Sequence, residues 1–297
     1  MKAATAKTAV GFRNILFATD FSAAAANAIP YVKQIAKHYD ANLVVLHARP
    51  PVVNPMTEPA SWPTDIEAAK AENESHRRQI LDTFADIRTQ ACVEEGGVLD
   101  CLAEAIEKNK TDLVVIGTRG RTGLGKLLMG SVAEEIFRTV SCPVLTVGPH
   151  SGPSRAPDGQ FREILYATDL SPESQGAAAY ALSLAQEFQA RLVLVHVIPE
   201  PKAGDLVTAA EVFASSKNLL RKLVPPEAEA WCRPEYFVFR GNPAEKILDF
   251  VNLRDKDLIV LEVRPETGVP GAATHLPISM AHKIVSHAAC PVLTVRH

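Results

Sequence analysis

Short runs of Val, Ile and Leu, apolar at consecutive positions, recur along this chain, and longer stretches of mixed polarity separate them. Asn14-Ile15-Leu16-Phe17-Ala18-Thr19-Asp20 comes first, followed by Leu43-Val44-Val45-Leu46-His47, Asp112-Leu113-Val114-Val115-Ile116 and Cys142-Pro143-Val144-Leu145-Thr146-Val147. A run that is apolar on both faces predicts a strand of a parallel sheet with helices covering both sides. The intervening stretches carry helical spacing over 22–38, around 65–84, 99–109 and 131–139. Pro30 falls inside the first of these. It predicts a kink or a break, because proline lacks the donor N–H and crowds the preceding turn.

The series then repeats. Glu163-Ile164-Leu165-Tyr166-Ala167-Thr168-Asp169, Leu192-Val193-Leu194-Val195-His196, Asp257-Leu258-Ile259-Val260-Leu261 and Cys290 to Val295 follow in the same order. Matched segments in a fixed order identify an internal repeat. Helices are expected over 171–188, 244–253 and 279–287, the first opening at Ser171-Pro172 with Ser as N-cap and Pro in the first turn. A third strand is expected near 89–94, and near 236–239 in the second copy. Gly148 to Gly159 is dense in Pro, Gly and Ser and reads as a linker. The pattern predicts an α/β chain of two tandem doubly wound domains, each with a roughly five-stranded parallel sheet of Rossmann-like type. The first domain spans 1–148, the linker 149–160 and the second domain 161–297.

Composition narrows the function classes. A length of 297 residues suits two domains of ordinary size. The formal charge of −3 gives no general attraction to nucleic acid or to an anionic membrane. No apolar run approaches the roughly 18 residues of a membrane helix. The polar N-terminus lacks the apolar core of a secretory signal, so the cytoplasm is the expected compartment. The five cysteines form no C-x-x-C pair, which argues against a zinc ribbon or a thioredoxin-like redox site. Cys142 and Cys290, each beside a Pro at the start of an apolar run, are expected to be buried and inert.

In an open parallel sheet, ligands bind beyond the carboxyl ends of the strands, where strand order reverses. The loop after the expected fourth strand, 112–116, is Gly117-Thr118-Arg119-Gly120-Arg121-Thr122-Gly123-Leu124-Gly125-Lys126-Leu127-Leu128-Met129-Gly130-Ser131. Glycines at 117, 120 and 130 would let backbone N–H groups approach phosphate oxygens. Ser131 would open a helix whose first N–H groups favour an anion, and Arg119, Arg121 and Lys126 add positive charge. Ser131 and Glu134 also form a capping box, so a purely structural role for Ser131 stays open. Two rival motifs fail. Leu127 stands where a P-loop needs Ser or Thr, and Leu128 where a dinucleotide fingerprint needs its third Gly.

Gly117-x2-Gly120-x9-Gly130-Ser131, with Ala-Thr-Asp-Phe-Ser at 18–22 and the Cys-Pro-Val-Leu-Thr-Val run, resembles the ATP-binding pattern of the universal stress protein family. The resemblance covers nearly the whole chain, as a tandem pair. It implies that Asp20, with Ala18 and Thr19 beside it, contacts the adenosine and that Ala48 hydrogen-bonds adenine through its backbone. Ile116 and Gly117 would line adenine and ribose. Arg119, Gly120, Gly130, Ser131 and Val132 would hold the phosphates. Asp20 has a competing role as a turn or capping residue. His47 and His196 end apolar runs and read as hydrogen-bonded structural residues rather than catalysts. The Pro-rich segment 49–65 either covers the nucleotide or is an ordinary surface loop. The resemblance also implies that the last strands of the two halves pair with each other as an internal pseudo-dimer, and it leaves a homodimer open.

The second copy departs from this pattern. Glu262 and Pro265 stand in place of Gly117 and Gly120, and Ile278-Ser279 in place of Gly130-Ser131. Acidic side chains and a missing donor disfavour phosphate, so this half is not expected to bind ATP through its loop. Asp169 and Ser279 persist, which leaves a different ligand open. The implied function is an ATP-binding sensor or regulator in the stress response, with ATP held by the first domain. Magnesium would arrive with the triphosphate, although no metal-ligand cluster is visible. Adenine nucleotide is the expected partner, without nucleic acid or membrane. A slow ATPase and a nucleotide-free interaction scaffold are the alternatives.

Overall fold

Runs that are apolar on both faces need cover on both faces, and the chain meets this with one ten-stranded sheet between two layers of helices. The computed structural model describes residues 10–49, 63–118, 135–136, 139–151, 160–171, 175–200, 209–263 and 276–296. The first half holds strands β1 (Asn14–Ala18), β2 (Asn42–Arg49), β3 (Thr89–Glu95), β4 (Leu113–Gly117) and β5 (Val144–Val147). The second holds β6 (Glu163–Thr168), β7 (Arg191–Ile198), β8 (Glu235–Arg240), β9 (Leu258–Val263) and β10 (Val292–Arg296). Helices are α1 (Ala23–Ala26), α2 (Ile29–His38), α3 (Pro63–Thr83), α4 (Val98–Asn109), α5 (Gln175–Glu187), α6 (Ala209–Lys222), α7 (Glu229–Cys232), α8 (Pro243–Arg254) and α9 (Leu276–His287).

Strand order is β3-β2-β1-β4-β5-β10-β9-β6-β7-β8. Every ladder within a half is parallel, so each half carries the five parallel strands that its sequence predicts. Alternation along β1 divides the core. Ile15 and Phe17 pack with Tyr31, Ile80 and Phe84 on one face, while Leu16 packs with Leu102 and Ile116 on the other. Each such fully buried side chain contributes about 1.5–3 kcal/mol.

Local chemistry sets the element ends. Pro30 breaks the first helical stretch into α1 and α2 and sits in the first turn of α2, where its missing N–H costs nothing. Asp112 accepts backbone hydrogen bonds from Arg13 (2.8 Å) and Asn14 (3.1 Å), fastening the start of β4 to the start of β1. Asp257 repeats this on Arg162 (2.8 Å) and Glu163 (2.9 Å). That is the structural reason for an Asp before the fourth strand of each copy.

Several expectations change. The last helix begins at Leu276 rather than Ser279, because Pro277 suits a first turn and carries the helix start upstream. The helix expected over 131–139 lies largely outside the described residues, as does 172–174 after Ser171. Cys290 is buried, but Cys142 is only half-buried; burial still pushes the Cys142 thiol up to about 11, away from thiolate chemistry.

The halves meet across β5 and β10, the one antiparallel ladder of the sheet. Its register sets Leu145 opposite its own repeat counterpart Leu293, with Thr146 opposite Val292 and Val144 opposite Thr294. This is a self-complementary arrangement, like the contact in a two-fold dimer. Aromatic pairs obey the same exchange. Phe12 packs on Tyr180 and its counterpart Phe161 on Tyr31, each at 6.3 Å between centroids. Tyr39 meets its counterpart Phe188, also at 6.3 Å.

Candidate functional site

Strand order reverses between β1 and β4, so a crevice opens beyond their carboxyl ends. Ala18 pairs with Leu46 on one side and with Ile116 on the other. Ala18, Leu46 and Ile116 belong to the layer covered by α4, and Ala48, two residues beyond Leu46, continues the same face of β2. The structure therefore brings Ala18, Ala48 and Ile116 together along one apolar edge. Arg119, Gly120, Gly130, Ser131 and Val132 lie outside the described residues, as does most of the Pro-rich segment after β2.

Gly117 points the other way. A Cβ built on it would stand 2.4 Å from the carbonyl oxygen of Ala24 and 2.8 Å from Cα of Ala25. The backbone of α1 occupies the space a side chain would need. Close approach of a helix, rather than of phosphate, accounts for the glycine here.

Thr19 and Asp20 build the turn that places α1. Thr19 N–H donates to Leu46 O (2.9 Å), which extends the sheet by one bond beyond β1. Thr19 Oγ1 accepts from Phe21 N (3.1 Å), and Asp20 Oδ1 accepts from Ser22 N (2.9 Å). These bonds hold Phe21 at φ +56°, a left-handed conformation that non-glycine residues seldom adopt. Thr168, Asp169 and Leu170 reproduce the turn, with Leu170 at φ +63°. The competing role of Asp20 as a turn residue is thus present in the structure, and its side chain is exposed at the sheet edge.

His47 Nδ1 lies 2.9 Å from Thr19 O, and His196 Nδ1 lies 2.9 Å from Thr168 O. A carbonyl only accepts, so Nδ1 carries the proton in both rings. Each histidine anchors the turn after the first strand of its half, as expected of a structural residue.

Sequence reasoning missed what surrounds His47. Phe21 stacks on His76 of α3 at 4.7 Å and lies 4.7 Å from His47, while the two histidine rings are 4.9 Å apart. Burial, and after it the neighbouring His47, hold the His76 pKa below the usual histidine value; Glu72 opposes and Arg49 adds to the lowering. Arg49 ties the end of β2 to α3 through Glu72 (2.7 Å) and Asn73 (2.6 Å). The repeated His was the one sequence signal for this cluster; nothing marked His76. Buried Thr118, whose N–H donates to Val147 O (3.0 Å), was likewise not singled out.

No helix among the described residues is long and apolar enough to cross a membrane. The model of the Universal stress protein family matches the chain twice, over residues 11–148 and 160–296. A universal stress protein of Mycolicibacterium smegmatis is 25% identical over 301 residues, covering 95% of this chain and 96% of the relative. One from Methanocaldococcus jannaschii is 31% identical over 140 residues, covering 46% of this chain and 82% of the relative. The crystal structure of a universal stress protein from Archaeoglobus fulgidus shares the fold over 95% of this chain and 98% of its own, with a TM-score of 0.68 at 17% identity. Two family matches joined by a self-complementary seam place this chain in the universal stress protein family, as a tandem of two such units.

Proposed function

We propose that the first half binds an adenine nucleotide, ATP in the first instance, and that the chain acts as a nucleotide-dependent sensor or regulator in the stress response. The observation that carries this reading is the apolar edge formed by Ala18, Ala48 and Ile116 at the strand-order reversal, directly ahead of the glycine series. That edge suits the flat face of a base. Asp20 at its margin offers a carboxylate to the sugar. The loop from Arg119 to Ser131 supplies cations and glycine N–H groups for the phosphates. Among the described residues no group of three or more His, Cys, Asp or Glu could hold a metal ion, so magnesium in this reading travels with the triphosphate. Binding regulates only if the nucleotide has unequal affinity for two states of the protein.

The test is nucleotide stoichiometry on the full chain by isothermal titration. One ATP per chain is expected, together with loss of binding in Gly120→Glu. At about 100 times Kd, ATP should stabilise the chain by about 2.7 kcal/mol. Absence of both binding and thermal stabilisation sinks the reading, and two equivalent sites would refute the exclusion of the second half.

A further inference from the structure

The sheet ends in two outer strands, β3 and β8. An outer strand presents a row of backbone N–H and C=O groups that its own sheet leaves unpaired, and proteins commonly guard it with charge. β3 is guarded, because it closes on exposed Glu94 and Glu95. β8 is not. Its inner residues, Tyr236-Phe237-Val238-Phe239, are uncharged and aromatic or β-branched, and its ends carry opposite charges at Glu235 and Arg240. Gly241 N–H donates to Ile198 O of β7 (3.0 Å). Backbone groups alternate sides along a strand, so the odd-numbered positions of β8 bond to β7 while Tyr236, Val238 and Arg240 turn their N–H and C=O outward. Among the described residues, no backbone bond reaches these three from the open side.

We propose that β8 pairs with β8 of a second copy of this chain, antiparallel about a two-fold axis at Val238, joining two sheets into one. Opposite residues of an antiparallel pair either both exchange backbone bonds or both turn them away, so the two-fold axis must pass through a residue. Centred on Val238, that residue bonds to its own copy, and Tyr236 exchanges both bonds with Arg240 of the partner subunit. Phe237 then opposes Phe239 of the partner subunit as a non-hydrogen-bonded pair, where side chains approach most closely. Centring on Phe237 would instead set Arg240 opposite Pro234, which has no N–H to donate. The side chains favour the same register. In the single chain Tyr236 Oη and Arg240 Nε are buried without a hydrogen-bond partner. The register sets Tyr236 against Arg240 of the partner subunit on one face, a phenol oxygen against a guanidinium donor. It also lays the Glu235 end of one strand beside the Arg240 end of the other, whereas a second β3 would add two carboxylates to the two already on that edge. The contact is self-complementary, so assembly closes at two chains.

Sedimentation equilibrium on the full chain over a dilution series should show two chains per particle at high concentration and one at low. Amide exchange at the same concentrations locates the contact. The Tyr236, Val238 and Arg240 amides should gain protection as the dimer forms, while those of Phe237 and Phe239 stay protected throughout by β7. Val238→Pro removes an outward N–H, leaves the β7 ladder whole, and should weaken the dimer about tenfold or more. Arg240→Glu keeps the backbone donor but makes both ends acidic, and should weaken the dimer in the same direction. On β3, Gly96 N–H donates to Arg49 O (2.8 Å), so Ala91 N–H turns outward, and Ala91→Pro should leave the dimer intact. The proposal is overturned by a chain that stays single at every concentration, by a dimer that forms without protecting those three amides, by parent affinity in both β8 variants, or by an equal loss in Ala91→Pro. Particles that keep growing beyond two chains would indicate β8 pairing with β3 and would overturn it as well.

Discussion

Gly117→Ala decides whether the first glycine of the series serves the helix or the ligand. The added Cβ would lie 2.4 Å from Ala24 O, where ordinary contact begins at 3.4 Å, so α1 must retreat by about 1 Å. That helix is not free to move. Ser22 Oγ caps it at Ala25 N (3.2 Å), and the Thr19–Asp20 turn fixes its entry. Overpacking of this kind costs about 1–3 kcal/mol. Removing a glycine returns about 0.4–1 kcal/mol by restricting the unfolded chain. A net loss of about 1–2 kcal/mol is expected, at about 2–4 °C in Tm for each kcal/mol in a chain of this order of size. Gly11→Ala is the control, because among the described residues its Cβ would meet only the Tyr39 ring, at 3.8 Å, and should leave stability unchanged or slightly raised. Urea melts give the stability and calorimetry gives ATP affinity. If Gly117→Ala melts with the parent but loses ATP, the glycine is there for the ligand and the helix-packing argument is refuted.

Two further outcomes follow from single side chains. In the folded chain the His76 pKa lies below the usual 6.5, so between those values the unfolded chain binds more protons and stability falls as pH falls. Melts from about pH 7 to about pH 5.5 should show a smaller decline in His76→Phe, which keeps a ring against Phe21; an unchanged pH slope would exclude His76 as a source. At the seam, buried Thr294 donates to Val144 O (3.2 Å) while its counterpart Thr146 Oγ1 is buried without a partner. Thr294→Val should cost about 0.5–1.5 kcal/mol in a urea melt, whereas Thr146→Val should be neutral or stabilising. Equal losses from the two would show that the seam is more symmetric in solution than the side chains indicate.

Strands were the most legible part of the fold because a parallel sheet covered on both faces leaves no polar position to blur the run, as at Leu113–Ile116. β3, at the sheet edge with a mixed burial pattern, was harder to read for the same reason, yet it spans Thr89–Glu95 close to expectation. Pro30 announced its helix break directly. Ala18, Ala48, Ile116 and Gly117 were legible as strand-end positions, whereas Arg119, Gly120, Gly130, Ser131 and Val132 lie outside the described residues. The reasons for the site's residues were not legible. Thr19 and Asp20 look like ligand contacts in the sequence, yet each also makes a local turn bond, and Gly117 yields space to the helix that begins five residues after β1. The Phe21–His47–His76 cluster joins a turn, a strand and a distant helix, and no spacing rule reports such a meeting.

The antiparallel seam has a genetic consequence. In an assembly of two identical chains, any substitution enters both copies at once, so a change that spoils one ligand site spoils the other. Here the two partners of the interface are successive stretches of one polypeptide, and a substitution enters once. Glu262, Pro265 and Ile278 could displace the glycine series from one half while Gly117, Gly120 and Gly130 stayed in the other, with the shared sheet intact. Covalent linkage also makes the pairing unimolecular, so dilution that would separate two chains leaves these halves together.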